Sequence, residues 1–134
     1  MMQFLPVYAH ASIIGFESPA GEYIESSLSL DALLIEHPHA TYLGIAKGES
    51  MVGDGIFDGD LLVVSRAEKA RDDSIIVATL NGEFVCKRFH KKQRLLMSSN
   101  VNMPAYHLSE EDEFCVEGVV IRSVRLHKRL SSLQ

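Results

Sequence analysis

The dipeptide Asn81-Gly82 constrains the fold of this chain more than any other local feature. Both residues tolerate the positive φ that a two-residue type I′ turn demands, and the flanking runs Ser74 to Leu80 and Glu83 to His90 have strand character. An antiparallel hairpin is therefore expected there. Similar runs recur at Thr41 to Ala46, Asp60 to Ser65, Arg94 to Ser99 and Phe114 to Leu126, with Asp58-Gly59-Asp60 marking a further turn. So many short strands at close spacing predict a mainly β fold, either a strongly curved antiparallel sheet or a partly closed barrel.

One short helix is expected. Ser29 can cap it, Leu30, Leu33 and Leu34 fall on one face, and Pro38 ends it soon after. Residues 1–28 mix apolar pieces such as Phe4 to Val7 and Ile13 to Phe16 with Ser18-Pro19-Ala20-Gly21, and hold no sustained period. They read as an extended arm ahead of a single domain, 29–134. A chain of 134 residues that is 46% hydrophobic has enough apolar material for one core.

No apolar run approaches the roughly 18 to 20 residues of a membrane span, so a soluble, cytoplasmic protein is expected with no membrane partner. A net charge of −5 argues against broad attraction to nucleic acid. The cationic segment Lys87 to Arg94 and the acidic run Glu110 to Glu113 read as a solvated hairpin tip and a solvated loop. Cys86 and Cys115 sit in apolar strands without CxxC spacing, which predicts buried, reduced thiols rather than nucleophiles. His37 and His39 flank Pro38, where a helix has ended, so they do not share a face as metal ligands would. A surface role is expected for both, and no metal or cofactor. The run Val116, Gly118 to Ile121 and Val124 suits either core or a dimer face.

Two residues invite chemistry. On a strand of period two, Lys87 shares its face with Val85 and Phe89, an apolar setting that would disfavour the ammonium and prepare a general base. The strand pattern alone equally allows an edge lysine that reaches water. Ser50 lies in Gly48-Glu49-Ser50-Met51, just after a strand, where a glycine beside a serine permits a sharp bend and leaves amides free for an oxyanion. Taken alone, the motif also fits an ordinary loop serine.

The order of motifs is more specific than either residue. Gly48-Glu49-Ser50-Met51, then Asp58-Gly59-Asp60-Leu61-Leu62-Val63-Val64, then Asn81-Gly82-Glu83-Phe84-Val85-Cys86-Lys87-Arg88, then Glu117-Gly118-Val119-Val120 together resemble the LexA/UmuD family from about Gly15 to about Val124. Ser18-Pro19-Ala20, Leu34 to Pro38 and Ala40-Thr41-Tyr42 bring it nearer the UmuD branch. The residues before Gly15 are too few for a helix-turn-helix, so direct sequence-specific DNA binding is not expected.

The resemblance implies a Ser-Lys peptidase that cuts its own arm. Ser50 would be the nucleophile, Lys87 its base, and the backbone amides of Glu49 and Ser50 the oxyanion donors. The bond carried over is Ile14-Gly15, where isoleucine replaces the family's usual alanine or cysteine; Ala20-Gly21 is the second choice. The resemblance further implies a homodimer, cleavage promoted by a RecA-DNA filament, and a shortened product that joins a UmuC-like DNA polymerase in SOS mutagenesis. Rival readings are a non-cleaving binding module of the same fold, a soluble phage-repressor-like fragment, and a signal-peptidase-like protease, the last without the expected membrane anchor.

Overall fold

The computed structural model describes residues 29–131. The arm, with both candidate cleavage bonds, lies outside the described residues. The chain divides between Glu36 and His37 into two units. In the first, α1 (Leu30–Leu34) begins at Ser29, whose hydroxyl accepts the Ala32 amide at 3.2 Å. It ends before Pro38 is reached, at Ile35, where the backbone becomes extended.

The second unit is one seven-stranded antiparallel sheet: β1 (Thr41–Ile45), β2 (Leu61–Ser65), β3 (Ser74–Leu80), β4 (Glu83–His90), β5 (Leu95–Met97), β6 (Tyr106–His107) and β7 (Phe114–Val124). Its order is β1-β2-β7-β3-β4-β5-β6, with free edges at β1 and β6. The mainly β expectation is borne out, and the sheet is open. The expected hairpin is present, with Asn81 at φ 51° and Gly82 at φ 85° between β3 and β4. Asp112 ties a distant loop to this turn by accepting from Asn81 Nδ2 at 2.9 Å, while Asn81 Oδ1 accepts the Glu113 amide at 2.9 Å. Hydrogen bonds from the Ser109 amide and Asn81 hold the Asp112 carboxyl at about 2. The acidic run is therefore not wholly a solvated loop. The two-residue strand β6 escaped the sequence reading because it is too short to show a period.

Alternation along β3 and β4 sorts the apolar side chains onto two faces. Ile75, Val77 and Cys86 pack with Met51, Ile56, Leu62 and Val64. Ile76, Ala78, Val85 and Phe89 pack with Leu96 and Leu108. Strand β7 bulges opposite Val63/Val64 and again opposite Val77/Ala78, and a bulge adds local bend and twist to its strand. Gly118, between those irregularities, admits the Val64 side chain and the Ser65 carbonyl, the latter 3.0 Å from where a Cβ would stand.

One expectation is corrected. Cys115 is exposed, because on β7 it alternates with Phe114 and Val116, which take the core side and leave the thiol outside. Cys86 is half-buried, and burial pushes its thiol up to about 11. His37 and His39 are both exposed. The cationic segment is split by the strand's end: Lys87 and Arg88 are half-buried, whereas Lys91, Lys92 and Arg94 form the exposed turn.

The buried carboxylate of Asp60 holds the loop that leads into β2. Asp60, 1% exposed, accepts the Phe57 amide at 2.8 Å and a two-pronged Arg125 guanidinium, one prong at 3.1 Å. Arg125 also donates to the Gly55 carbonyl at 3.1 Å and lies 4.3 Å over the Phe57 ring. The Arg125 hydrogen bond outweighs burial and holds the Asp60 carboxyl below its usual range. The stability it contributes is present above the unfolded carboxylate's pKa and is lost as pH falls through the lower folded value. Asp60→Asn should therefore lower Tm at neutral pH, and the gap to wild type should close on acidification. Thermal melts of both proteins across that pH range check this.

Candidate active site

Strand β1 delivers the chain to Ala46, which is buried, and a turn follows at once. Gly48 makes the bend at φ +86°, a value that a side chain would strain, and its amide is caught by Asp58 Oδ1 at 2.7 Å. Glu49 and Ser50 come next; Met51, 3% exposed, anchors the turn in the core beside Cys86. The short 3₁₀ turn Val52–Asp54 completes it. The sequence reading of Gly48 as the source of the bend is thus met in the backbone itself.

Lys87 arrives from the other direction, on β4. Strand β5 pairs with β4 only from Arg88 to His90, so Phe84 to Lys87 present an edge without a β5 partner. The Ser50 turn faces that edge across a cavity of about 300 Å³, whose lining includes Ser50, Met51, Phe84, Val85, Lys87 and Met103. A second cavity of about 380 Å³ continues from it over Tyr42, Leu62, Val64 and Val77, sharing Ala46, Phe84, Val85 and Cys86. The two make an apolar trough beside a strand edge, a shape suited to an extended peptide.

Burial pushes the Lys87 amine below its ordinary value. The one opposing influence, a Cys86 thiolate, is weak near neutral pH because Cys86 itself titrates at about 11. Lys87 Nζ donates to Ser98 Oγ at 3.0 Å; no hydrogen bond joins it to Ser50 Oγ among the described residues. The serine and lysine thus line one cavity without a hydrogen bond between them. Next to Lys87, Arg88 pairs with Asp54 and donates to the Asp73 carbonyl at 2.7 Å, so the adjacent charge is consumed internally.

The segment after β5 closes the site. The amides of Ser99 and Asn100 donate to the Ser50 carbonyl at 2.9 and 3.1 Å, and Asn100 Nδ2 donates to the Glu49 carbonyl at 3.1 Å. Ser99 Oγ receives the Asp54 amide at 3.0 Å. The amides of Glu49 and Ser50 donate to nothing among the described residues, which leaves two N–H groups in the turn able to receive a developing oxyanion. Among the described residues no group of His, Cys, Asp or Glu is placed to hold a metal, and no helix is long and apolar enough to cross a membrane.

Residues 6–121 match the family described as peptidase S24-like. The chain belongs to that family. It is 36% identical over 125 residues to Protein ImpA of Escherichia coli, covering 93% of this chain and 86% of that protein. It is 38% identical to Protein SamA of Salmonella typhimurium over 127 residues, 95% of this chain and 88% of SamA. Protein MucA of Escherichia coli is 38% identical over 125 residues, 92% of this chain and 86% of MucA. The LexA/UmuD resemblance is borne out by these matches.

For an S24-like chain, the site residues expected from sequence fall in one place: Ser50, Glu49 and Lys87 all line the same cavity. Ile14, Gly15, Ala20 and Gly21 lie outside the described residues. Ser98, Ser99 and Asn100 were missed. Sequence reading ran a strand from Arg94 through Ser99, whereas β5 ends at Met97, and nothing local says that the residues after it fold back onto a turn some fifty residues earlier.

Proposed function

We propose that this S24-like protein is a UmuD-type SOS mutagenesis factor that removes its own N-terminal arm with Ser50 and Lys87. The observation that supports it most is the pairing in one apolar cavity of a serine on a glycine-bent turn with a lysine whose amine is shifted toward neutrality by burial. Neutral Lys87 accepts the Ser50 hydroxyl proton as Oγ attacks the Ile14 carbonyl carbon. The Glu49 and Ser50 amides hold the oxyanion. Collapse breaks the Ile14–Gly15 bond; the proton held on Lys87 passes to the departing Gly15 nitrogen, leaving Ile14 esterified to Ser50. Water, deprotonated by Lys87, then releases the Ile14 carboxylate and restores both side chains.

The relatives ImpA, SamA and MucA support the assignment to the UmuD branch. A homodimer, promotion of cleavage by a RecA-DNA filament, union of the product with a UmuC-like polymerase and a cytoplasmic location belong to the same proposal. The deciding experiment incubates purified protein at alkaline pH, alone and with activated RecA on single-stranded DNA, and reads masses. A fragment that starts at Gly15 and disappears in Ser50→Ala is expected. A fragment starting at Gly21 instead would move the cut to Ala20–Gly21. A wild-type chain left whole in both conditions would exclude self-cleavage and favour the non-cleaving binding module, for which the β-branched Ile14 before the bond is the motive.

A further inference from the structure

Among the described residues, Ser98 is the only side chain that Lys87 Nζ hydrogen-bonds, at 3.0 Å, and the sheet register explains why. The ladder pairs Arg88 with Met97, so the register carried one step further sets Lys87 opposite Ser98, on one face with Phe89 and Leu96. Regular pairing stops at Met97; from Ser98 the chain turns away toward the Ser50 turn. Within three residues the same segment thus reaches the amine of Lys87, through Ser98, and the carbonyl of Ser50, through Ser99 and Asn100.

We propose that Ser98 is the positioning residue for Lys87, and that residues 98–100 act as one clamp setting the amine against the Ser50 turn. This rests on the dyad reading above. A neutral lysine amine carries two N–H bonds and one lone pair, free to rotate about Cε–Nζ. Donating one N–H to Ser98 Oγ restricts that rotation and confines the lone pair to the remaining directions, toward the cavity it shares with Ser50. The clamp's other bonds keep the serine from drifting: its carbonyl takes two amides, and the Glu49 carbonyl takes Asn100 Nδ2. Removing the oxygen at 98 would leave the amine in place on its strand but unaimed. Misplacement of about 1 Å in such a site costs on the order of a hundredfold in rate.

Self-cleavage of the full chain is measured against pH for wild type, Ser98→Ala and Ser98→Thr, while Lys87 is titrated by NMR of ¹³Cε-labelled lysine in Ser50→Ala backgrounds, where no cleavage intervenes. Ser98 Oγ accepts from the ammonium more strongly than from the amine, so its loss favours the neutral form. Ser98→Ala should therefore lower the Lys87 midpoint and also reduce the plateau rate about ten- to a hundredfold. Ser98→Thr, which keeps the hydroxyl, should restore both. If Ser98→Ala does not fold, Ser98→Cys, of similar shape and a weak acceptor, takes its place.

An unchanged rate and midpoint in Ser98→Ala overturn the proposal. So does a slower rate with an unmoved Lys87 midpoint, because that pattern marks a merely structural serine. Should wild type never cleave, the dyad reading fails by itself; the titration still decides whether Ser98 sets the state of Lys87, and an unmoved midpoint then overturns the contact as well.

Discussion

Lys87→Met is expected to stop self-cleavage while leaving the protein folded and no less stable. Methionine keeps most of the lysine stem's volume and its contacts beside Val85 and Phe89, so no large cavity opens. It removes the amine and exchanges one methylene for sulfur. Loss of a general base costs about 10²- to 10⁴-fold, enough to take a slow intramolecular reaction below detection over days. In wild type the rate should climb with pH as the Lys87 ammonium loses its proton and level off above the Lys87 pKa. Burial places that midpoint below the ordinary lysine value of 10.5.

The sign for stability follows from the same shift. Between the lowered folded pKa of Lys87 and its unfolded value the unfolded chain binds more protons, so this residue's contribution to stability grows as pH rises through that window. Below the folded pKa the cost of burying the ammonium is fully present. Lys87→Met lacks that cost, so its Tm should equal or exceed that of wild type at neutral pH and lose the advantage at alkaline pH. A Lys87→Met protein that still produces the Gly15 fragment at near wild-type rate would remove lysine from the mechanism. Fragment yield and thermal melts from one preparation give both readings.

Gly53→Ala should damage the site from a residue that touches no substrate. A Cβ at Gly53 would stand 2.2 Å from the Ser99 carbonyl oxygen and 3.0 Å from the Ser99 Cβ. The first is backbone and cannot swing aside, so either the 3₁₀ turn after Ser50 or the 98–100 segment must move. Overpacking of this kind costs about 1–3 kcal/mol. That amounts to a fall of several degrees in Tm for a domain of this size, or about 4 °C at the least. Retreat of the segment also withdraws the amides of Ser99 and Asn100 from the Ser50 carbonyl, so cleavage should slow more than the lost stability accounts for. Gly44→Ala is the control for the melt, since nothing lies within 4 Å of its added Cβ. Equal Tm values for the two variants would mean that the approach at Gly53 is not tight in solution.

Tyr42 and Asp54 each keep one polar atom buried without a hydrogen-bond partner among the described residues, the hydroxyl of the first and Oδ2 of the second. Tyr42 lines the trough and Asp54 belongs to the turn that follows Ser50. Burial raises the Tyr42 phenol, whose ring is covered by the Arg66 guanidinium at 5.4 Å. Unsatisfied groups of this kind are costly, and functional sites tend to carry such local polar frustration.

Much of the fold was written locally. Strand runs, the Asn81-Gly82 turn and the Ser29 cap each depend on contiguous residues, whose spacing and backbone tolerance act before any distant contact forms. The same holds for Gly48 ahead of Ser50 and for the apolar neighbours of Lys87, which is why both candidate residues could be singled out from the chain alone. Strand periodicity says that a side chain alternates, but not which face the core will choose. Cys115, Phe114 and Val116 occupy consecutive positions of one apolar strand, and only packing against β3 and Phe89 decided that the thiol points out.

The rest depended on register and on contacts across long stretches of chain. Asp60 meets Arg125 from 65 residues away, Asp54 meets Arg88 across 34, and Glu49 meets Asn100 across 51. None of these partners has a periodic or motif signature, because a hydrogen bond between two distant segments leaves no trace in either segment's own spacing. Sequence by itself determined a mainly β domain with a serine on a bend and a lysine among apolar neighbours. Tertiary structure alone decided that the two line one cavity and that Ser98 holds the lysine there, since closing a sheet in register is what carries separate loops into hydrogen-bond range.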